Sequence, residues 1–429
     1  MAFGVHGPSF GSFDAEFVAS GAKWGRVGVD WRSMETSPGV YDWTPLDTML
    51  ASAAAAGVYL TGTLIHTPEF YQIVESPMCS MISGLCAIQS QYYPNLREFC
   101  RQVAIRCSGS KMLALEAGNE VTDLGTVEGE GYFEGPLEDY NIWIKEIYSG
   151  VKSGDPNMLV TLAGTVFPSD VADFTDYAVK TLSLYYDIYN VHLYYGERSV
   201  DWGIDYIQRK MSHYGIHRPI WVTETSTIVT DSLAALTASA SDVVKRHVRA
   251  VSHGAEHVIW YTFVEVGMSA DGYGSEAYRS LKGWGAWGWT ENKHDPAFPD
   301  PTFHPRPAYT AAQVMNSKIG NYSSIEAIDN TWYKATVGST PIWIAWGDGL
   351  RVPPECQSYR LRITDYLGNV SDHDGFSYVL TDSPVYIERL SGYKSAARRY
   401  YELTGRFDPI TPEEEEAVIR RKKVGSLRK

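Results

Sequence analysis

Two glutamates that end apolar runs are the residues in this chain best suited to catalysis. Glu120 follows the run Met112–Leu115 after a short turn, and Glu224 ends the run Ile220–Thr223. Short apolar runs bounded by turn residues are typical of buried strands, and glutamate is rare within them. Two facing carboxylates can protonate a leaving oxygen and attack an anomeric carbon or activate water, which is how glycosides are hydrolysed. Either glutamate alone could form a salt bridge or cap a helix, but the pair favours chemistry.

Strand-like runs alternate with helix-like segments through most of the chain. The predicted strands are Phe3–Gly7, Trp24–Asp30, Val58–Ile65, Met112–Asn119, Met158–Gly164, Ile188–Tyr194, Ile220–Glu224 and Val258–Phe263. The predicted helices include Leu46–Ala56, Asn95–Arg106, Leu137–Lys152, Ser169–Leu182, Ile204–His213 and Leu233–Ser252. Alternating strands and helices form parallel sheets, and eight such units predict a (β/α)8 TIM barrel with its active site at the carboxyl ends of the strands. Glu120 and Glu224 then lie at this rim, after the fourth and seventh strands.

Changes in the hydrophobic pattern along the sequence predict three regions. They are a catalytic barrel over residues 1–318, a small antiparallel β-sandwich-like domain over 319–392 and a polar extension over 393–429. After the barrel, short alternating runs separated by turns favour antiparallel strands. These runs are Trp332–Thr336, Ile342–Trp346, Tyr359–Thr364, Tyr378–Leu380 and Val385–Ile387. In the extension, Thr411 and Pro412 precede acids and then bases, which predicts a short helix with Thr411 as N-cap. This extension could be a solvated tail or a docking element, and a homo-oligomer stays open.

The composition restricts partners and cofactors. The net charge of −14 disfavours a nucleic-acid partner, and no apolar run suggests a membrane-spanning helix. The N-terminus lacks a signal-peptide pattern, so we expect a chain that is either not exported by that route or already cleaved, and the cellular location stays open. No HExxH, CxxC or early GxGxxG motif occurs, so we expect neither a metal nor another cofactor.

Three long segments follow the predicted third, fourth and eighth strands. The last of them carries Trp284 and Trp287 among glycines, which favours either a platform for sugar stacking or a tryptophan-lined packing plug. His66 ends the third strand and could bind substrate or only pack. Cys79 and Cys86 lie in the segment after the third strand and could form a disulfide or stay as free thiols.

These motifs together resemble the clan A retaining glycoside hydrolases, most of all families 39 and 5. Leu115-Glu116-Ala117-Gly118-Asn119-Glu120 is similar to the E-x-x-N-E signature of their fourth strand, and Thr223-Glu224 is similar to their seventh-strand nucleophile site. The segments Trp31–Asp47 and Thr67–Phe70 resemble the stretches after their second and third strands. The β domain after the barrel resembles the accessory β domains of family 39, so the resemblance spans residues 3–390.

The resemblance implies a double displacement with retention of configuration on an oligo- or polysaccharide, which we expect to be β-linked. Glu120 would be the general acid/base and Glu224 the nucleophile. Two alternatives stay open. One is a carbohydrate-binding or structural protein on a catalytically retired barrel, and the other is a transglycosylase that uses the same carboxylate pair but excludes water.

Further residues match positions that surround the pair in the resembled clan. Arg26 would lie near the nucleophile and keep it ionised, and Asn119 would hydrogen-bond the 2-hydroxyl of the attacked sugar. His192 and Tyr194 would position substrate and nucleophile, and Trp260 would form the floor of the subsite.

Two departures from the clan pattern occur beside the acid/base. The clan usually has tryptophan where this chain has Gly118 and proline where it has Val121. Gly118 should leave a hole that a neighbouring side chain or a bulkier substrate must fill, so these changes bear on the substrate class more than on the catalytic pair.

Overall fold

A computed structural model describes residues 3–6, 15–73, 85–86, 88–121, 133–134, 137–167, 171–194, 196–227, 233–261, 287–288, 304–305 and 307–390. The chain divides into two compact units, Met1–Asn316 and Ser317–Lys429. The predicted C-terminal extension, with the helix expected from Thr411, lies outside the described residues.

Eight parallel strands build the first unit. They are β1 Phe3–His6, β2 Trp24–Asp30, β3 Tyr59–Ile65, β4 Met112–Glu116, β5 in two segments Leu159–Thr161 and Thr165–Phe167, β6 Tyr189–Leu193, β7 Ile220–Thr225 and β8 Ala255–Trp260. Seven of the eight were predicted as continuous runs that overlap the observed strands. The fourth, predicted to Asn119, ends at Glu116, and the eighth, predicted from Val258, begins at Ala255. The fifth, predicted over Met158–Gly164, is instead interrupted between Thr161 and Thr165.

The sheet closes on itself at this interruption. β1 pairs with β2 on one side and with β8 on the other, so the first and last strands are neighbours. The first segment of β5 pairs with β4, and the second segment pairs with β6. Thr161 also bridges Ile188, which directly precedes β6. The predicted (β/α)8 barrel is therefore confirmed.

Helices connect the strands. They are α1 Ala15–Ala19, α2 Trp31–Met34, α3 Thr44–Ala56, α4 Tyr93–Cys107, α5 Leu137–Gly154, α6 Val171–Tyr177, α7 Gly196–His213, α8 Leu233–Ser252 and α9 Pro307–Ile319. α3 has a proline in its first turn and ends at Gly57 with a φ of 69°, a left-handed conformation that glycine adopts without strain. α7 begins at Gly196, well before the predicted start at Ile204. Its first turns were not predicted because they carry mostly polar residues. None of the helices in the described part of the chain is long and apolar enough to cross a membrane.

Side chains inside the barrel form two layers of different chemistry. The layer near the amino ends of the strands is an apolar cluster of Trp24, Ala114, Ile188 and Trp221. The layer two residues further along the same strands is polar and buried, and it consists of Arg26, Glu116, Asn190 and Thr223. Side chains alternate along a strand, so residues two positions apart point to the same side. The polar layer therefore lies directly above the apolar one, toward the rim that carries the active site in barrels.

The segments that follow β3 and β4 meet in a short parallel pair, Leu85–Cys86 with Phe133–Glu134. Cys86 is disulfide-bonded, whereas Cys100, Cys107 and Cys356 are buried free thiols. Cys79, the cysteine considered as a partner of Cys86 from the sequence, lies outside the described residues.

The second unit contains a six-stranded antiparallel sheet. Its strands are β9 Tyr322–Ala327, β10 Trp332–Val337, β11 Thr340–Ala345, β12 Arg360–Asp365, β13 Val370–Asp374 and β14 Val385–Arg389, in the order β9-β10-β11-β14-β12-β13. The predicted strand Tyr378–Leu380 was wrong, since Val379 makes only an isolated bridge with Arg351. β9 and β13 were not predicted. Both are edge strands, whose polar side chains conceal the alternation that marks a half-buried strand.

Candidate active site

An arginine–glutamate pair forms the centre of the polar layer. The Arg26 Nε of β2 lies 3.1 and 2.9 Å from the two carboxylate oxygens of Glu116 at the end of β4, and Arg26 Nη2 lies 2.7 Å from Glu116 Oε2. Thr63 of β3 donates a third bond to Glu116 Oε2 at 2.8 Å. Both charged side chains are buried, so each depends on the other for compensation. The structure thus places Glu116 as a structural, hydrogen-bonded acid.

Arg26 also reaches the two functional segments of the rim. Its Nη1 forms a short ion pair with Glu224 Oε1, and its Nη2 donates to Asn119 Oδ1 at 2.7 Å. Burial opposes the charge on Arg26, but Glu116 and Glu224 outweigh burial and raise its pKa above the ordinary value. A permanent positive charge is therefore held against Glu224.

Tyr194 donates its hydroxyl to the second oxygen of Glu224. Burial first, and then the carboxylates of Glu224 and Glu120, raise the pKa of Tyr194 well above its ordinary value, so the phenol keeps its proton. Both oxygens of Glu224 therefore have donors, one from Arg26 and one from Tyr194, and the carboxylate is fixed in place. A shift in strand register between Val222 and Thr225 of β7 accompanies this orientation, and such bulges re-aim side chains near active sites.

Glu120 stands in a strained backbone conformation opposite Glu224. Its φ is 40°, and among the described residues only His66, with a φ of 57°, shares a positive φ without being glycine. Side chains rarely adopt this left-handed region, and strain of this kind accumulates at functional sites. The Glu120 Oε1 atom lies 2.6 Å from His192 Nδ1, and the Glu120 side chain is 14% exposed. Glu120 thus combines a fixed contact on one side with access to the rim on the other.

His192 is the fully buried link between the two glutamates. Its Nδ1 lies 2.6 Å from Glu120 and 3.6 Å from Glu224 Oε2, and its Nε2 lies 3.2 Å from Thr223 Oγ1. Burial first, and then the charge of Arg26, lower the pKa of His192 to about 4, although Glu224 and Glu116 act in the opposite direction. The imidazole is therefore neutral at ordinary pH.

Gly164 lies against His192 within the interruption of β5. A Cβ atom at this position would lie 2.0 Å from His192 Nε2, so only glycine allows the backbone to pass the imidazole ring. The interruption between Thr161 and Thr165 leaves room for the ring, which the sequence alone did not predict.

One atom each from Glu120, His192 and Glu224 lies within 4.8 Å of the other two, a geometry that could hold a metal ion. The guanidinium of Arg26 already neutralises Glu224, however, and a second cation beside it would be repelled. The donor set therefore suits acid–base and nucleophilic chemistry better than metal binding.

The remaining predicted substrate contacts have different surroundings. His66 Nδ1 lies 2.9 Å from Asp30 Oδ2, which ties His66 to the N-cap residue of α2. Trp260 ends β8 and is buried. Trp284 lies outside the described residues. The backbone of Trp287 is part of a two-residue strand, and its side chain is not described.

The hole expected at Gly118 is filled from a neighbouring segment. Gly118 has a φ of 107°, which a side chain rarely adopts, and a Cβ there would lie 2.8 Å from the Cδ1 atom of Leu85. Leu85 is buried and directly precedes the disulfide-bonded Cys86. A side chain of the segment after β3 therefore occupies the space beside Gly118, and this resolves the departure that the sequence left unexplained.

Arg246 of α8 is a further buried residue that sequence reasoning missed. Its guanidinium donates to the carbonyl oxygens of Leu193 and Tyr194, both at 3.1 Å, and to Thr225 Oγ1 at 3.2 Å. It thereby fixes the ends of β6 and β7 from below the rim. The available signal was a basic residue among the valines Val243, Val244 and Val248 of a long helix.

No protein-family model and no curated protein sequence matches the chain. Among solved structures, it is similar to a family 39 glycoside hydrolase from Bacteroides cellulosilyticus WH2, with a TM-score of 0.68 and 16% identity over 91% of this chain and 81% of that one. It is also similar to a family 39 β-xylosidase from Caulobacter crescentus, with a TM-score of 0.63 and 16% identity over 91% of this chain and 98% of that one. A third similar structure is a family 30 endoxylanase from Clostridium papyrosolvens C71, with a TM-score of 0.56 and 12% identity over 91% of this chain and 96% of that one. The predicted resemblance to clan A hydrolases is therefore confirmed as a resemblance of fold.

Proposed function

We propose that the chain is a retaining glycoside hydrolase that cleaves a β-linked oligo- or polysaccharide. The observation that carries the proposal is the convergence of Glu120 and Glu224 at the ends of β4 and β7, with an oxygen of each within 4.8 Å of the other. Retaining enzymes hold their carboxyl groups about 5–5.5 Å apart, whereas inverting enzymes need roughly 6.5–9.5 Å to admit a water molecule. The separation here supports direct attack by a carboxylate.

In the first step, Glu224 attacks the anomeric carbon while Glu120 protonates the departing glycosidic oxygen. Arg26 and Tyr194 support these roles, because each of them contacts one carboxylate oxygen of Glu224 and together they orient it for attack. The Oδ1 atom of Asn119 accepts from Arg26, so its Nδ2 is the atom that can donate to the sugar 2-hydroxyl. Such hydrogen bonds strengthen in the transition state and contribute to catalysis.

In the second step, Glu120 acts as a base and activates a water molecule, which releases the sugar from Glu224. The configuration at the anomeric carbon is retained because two inversions follow each other. The substrate class is supported by solved structures of the same fold, two of which are named as a β-xylosidase and an endoxylanase.

A screen of aryl β-glycosides and β-linked polysaccharides, with products identified by mass spectrometry and NMR, tests this function. Glu224→Ala and Glu120→Ala should each lower turnover by at least 1,000-fold. Azide should rescue Glu224→Ala and yield an α-glycosyl azide, because the small anion attacks from the face that the carboxylate has vacated.

Three outcomes would contradict the proposal in different ways. Full hydrolysis by either alanine variant would remove the assigned roles. Sugar binding by the wild-type chain without turnover would favour a carbohydrate-binding protein on a retired barrel. Transfer to an added acceptor with little hydrolysis would identify a transglycosylase.

A further inference from the structure

A chain of hydrogen bonds runs from the acid/base into the barrel interior. Glu120 Oε1 lies 2.6 Å from His192 Nδ1, and His192 Nε2 lies 3.2 Å from Thr223 Oγ1. Thr223 in turn donates to Asn190 Oδ1 at 2.7 Å. Asn190, His192 and Thr223 are all fully buried, so no solvent competes for these bonds.

The number of protons on each group determines which partner donates in these hydrogen bonds. A threonine hydroxyl has one proton, and an amide oxygen can only accept. With the Asn190 amide oriented so that Oδ1 faces Thr223, the hydroxyl gives its proton to this oxygen and can only accept from His192, so the ring carries a proton on Nε2. A neutral imidazole has one N–H, so Nδ1 is a lone pair. At 2.6 Å from Glu120, this lone pair requires a proton on the carboxyl group.

We propose that Thr223 and Asn190 are positioning residues that fix His192 as the Nε2–H tautomer, so that its Nδ1 accepts the proton of Glu120 and stabilises the general acid in its protonated form. This inference rests on the proposed function, because it assigns how the acid/base of that reaction obtains and holds its proton. A hydrogen bond to the neutral form of a carboxyl group disfavours the ionised form.

The proton balance of both steps agrees with this arrangement. In the first step, the O–H bond of Glu120 breaks and its proton moves to the glycosidic oxygen, while the bond from that oxygen to the anomeric carbon breaks and the bond to Glu224 forms. The Glu120 carboxylate then faces the Nδ1 lone pair, which makes it a stronger base. In the second step, water adds to the anomeric carbon, the bond to Glu224 breaks, and the proton of the water returns to Glu120.

Other ionisable groups surround Glu120 and His192. Glu224 and Arg26 face His192 from β7 and β2, Glu116 faces it from β4, and Tyr194 approaches both glutamates from the end of β6. Arg26 and burial together keep the imidazole neutral, so only one of its two ring nitrogens carries a proton. Gly164 lies against the ring, and even a methyl group there would overlap Nε2.

The first test is ¹⁵N NMR of the full chain with labelled histidine, with the His192 resonances assigned by their loss in His192→Gln. The wild-type protein should show a protonated Nε2 and an unprotonated Nδ1 at neutral pH. Thr223→Val removes the acceptor of Nε2–H and should increase the Nδ1–H tautomer, which donates to the Glu120 carboxylate. Thr223→Ser keeps the hydroxyl and should restore the wild-type spectrum.

The second test is the pH profile of kcat/KM, which reports the essential groups of the free enzyme. In Thr223→Val, the alkaline limb should move to lower pH by about one unit, since the ionised form of Glu120 gains a donor. Thr223→Ser should keep the wild-type midpoint. Thr61→Val is a matched control, because Thr61 of β3 is equally buried and its hydroxyl has no partner among the described residues.

The outcomes separate this inference from the proposed function. A wild-type spectrum with Nδ1–H, as an inverted Asn190 amide would produce, overturns the inference even if the chain hydrolyses glycosides. A Thr223→Val variant that folds and keeps the wild-type alkaline limb also overturns it. If the chain hydrolyses no glycoside, the proposed function fails, and the NMR measurement still decides the tautomer.

Discussion

The two layers inside the barrel are built on the same strands and do opposite work. Near the amino ends, Trp24 and Trp221 pack ring against ring at 5.4 Å between centroids, and His257 lies 4.2 Å from Trp24. Two residues further along, Arg26 and Thr223 hold glutamates and a histidine. Burial of aromatic surface is favourable, whereas burial of charge is costly unless each charge is compensated. The apolar layer therefore stabilises the barrel. This stability offsets the cost of burying the charged and polar groups of the polar layer.

The largest expected effects come from one substitution in each layer. These are Arg26→Met in the polar layer and Trp221→Ala in the apolar layer. Arg26→Met leaves the buried Glu116 without its cation and should cost about 3–5 kcal/mol of unfolding free energy. It should also lower kcat/KM at least 100-fold, since Glu224 loses a fixed donor. Trp221→Ala should cost a similar 3–5 kcal/mol through the cavity it leaves but change kcat little. Chemical denaturation and kinetics on both variants measure these quantities.

The comparison fails if the two variants, each confirmed as folded, lose activity to the same degree. Activity would then follow stability alone, and the chemistry of the two layers would not be distinct.

A smaller effect is expected from Gly164→Ala, which changes packing in the polar layer without removing a polar group. The added Cβ would lie 2.0 Å from His192 Nε2, so the ring must move away from both Thr223 and Glu120. Displacement of a catalytic contact by about 1 Å can cost 100-fold in rate. We expect kcat/KM to fall by about that factor, with a stability loss of about 1–3 kcal/mol. Wild-type kinetics in this variant would show that the position of His192 does not matter.

The smallest effect concerns pH and follows from the lowered pKa of His192, which is about 4 in the folded chain. The unfolded chain binds a proton on this residue near pH 6.5 and the folded chain does not, so stability falls as the pH decreases below 6.5. Between pH 7.5 and 5.5 this linkage should cost about 1 kcal/mol. Urea denaturation at the two pH values should show a correspondingly smaller loss in His192→Gln.

The exposed His217 offers a matched control for this measurement. His217→Gln should keep the wild-type dependence of stability on pH. An identical dependence in the wild-type chain and His192→Gln would contradict the assignment of a buried neutral imidazole.

The structure also shows where sequence patterns lose their information. The barrel strands were predictable because buried parallel strands are continuous apolar runs bounded by turns. β9 and β13 were missed because edge strands carry polar residues. The interruption of β5 was missed, as was the contact of Gly164 with the His192 ring, because His192 follows Gly164 only after a further strand segment and a helix.

The sequence by itself determined the barrel, its strand order and the placement of Glu120 and Glu224 at strand ends, since hydrophobic periodicity and chemical type are local properties. Only the tertiary structure decided that Arg26 also joins Glu116 and Asn119, that Leu85 fills the space beside Gly118, and that Thr223 lies between His192 and Asn190. These contacts join residues from different strands. Closure of the sheet sets their distances, and no local pattern encodes which side chains then meet.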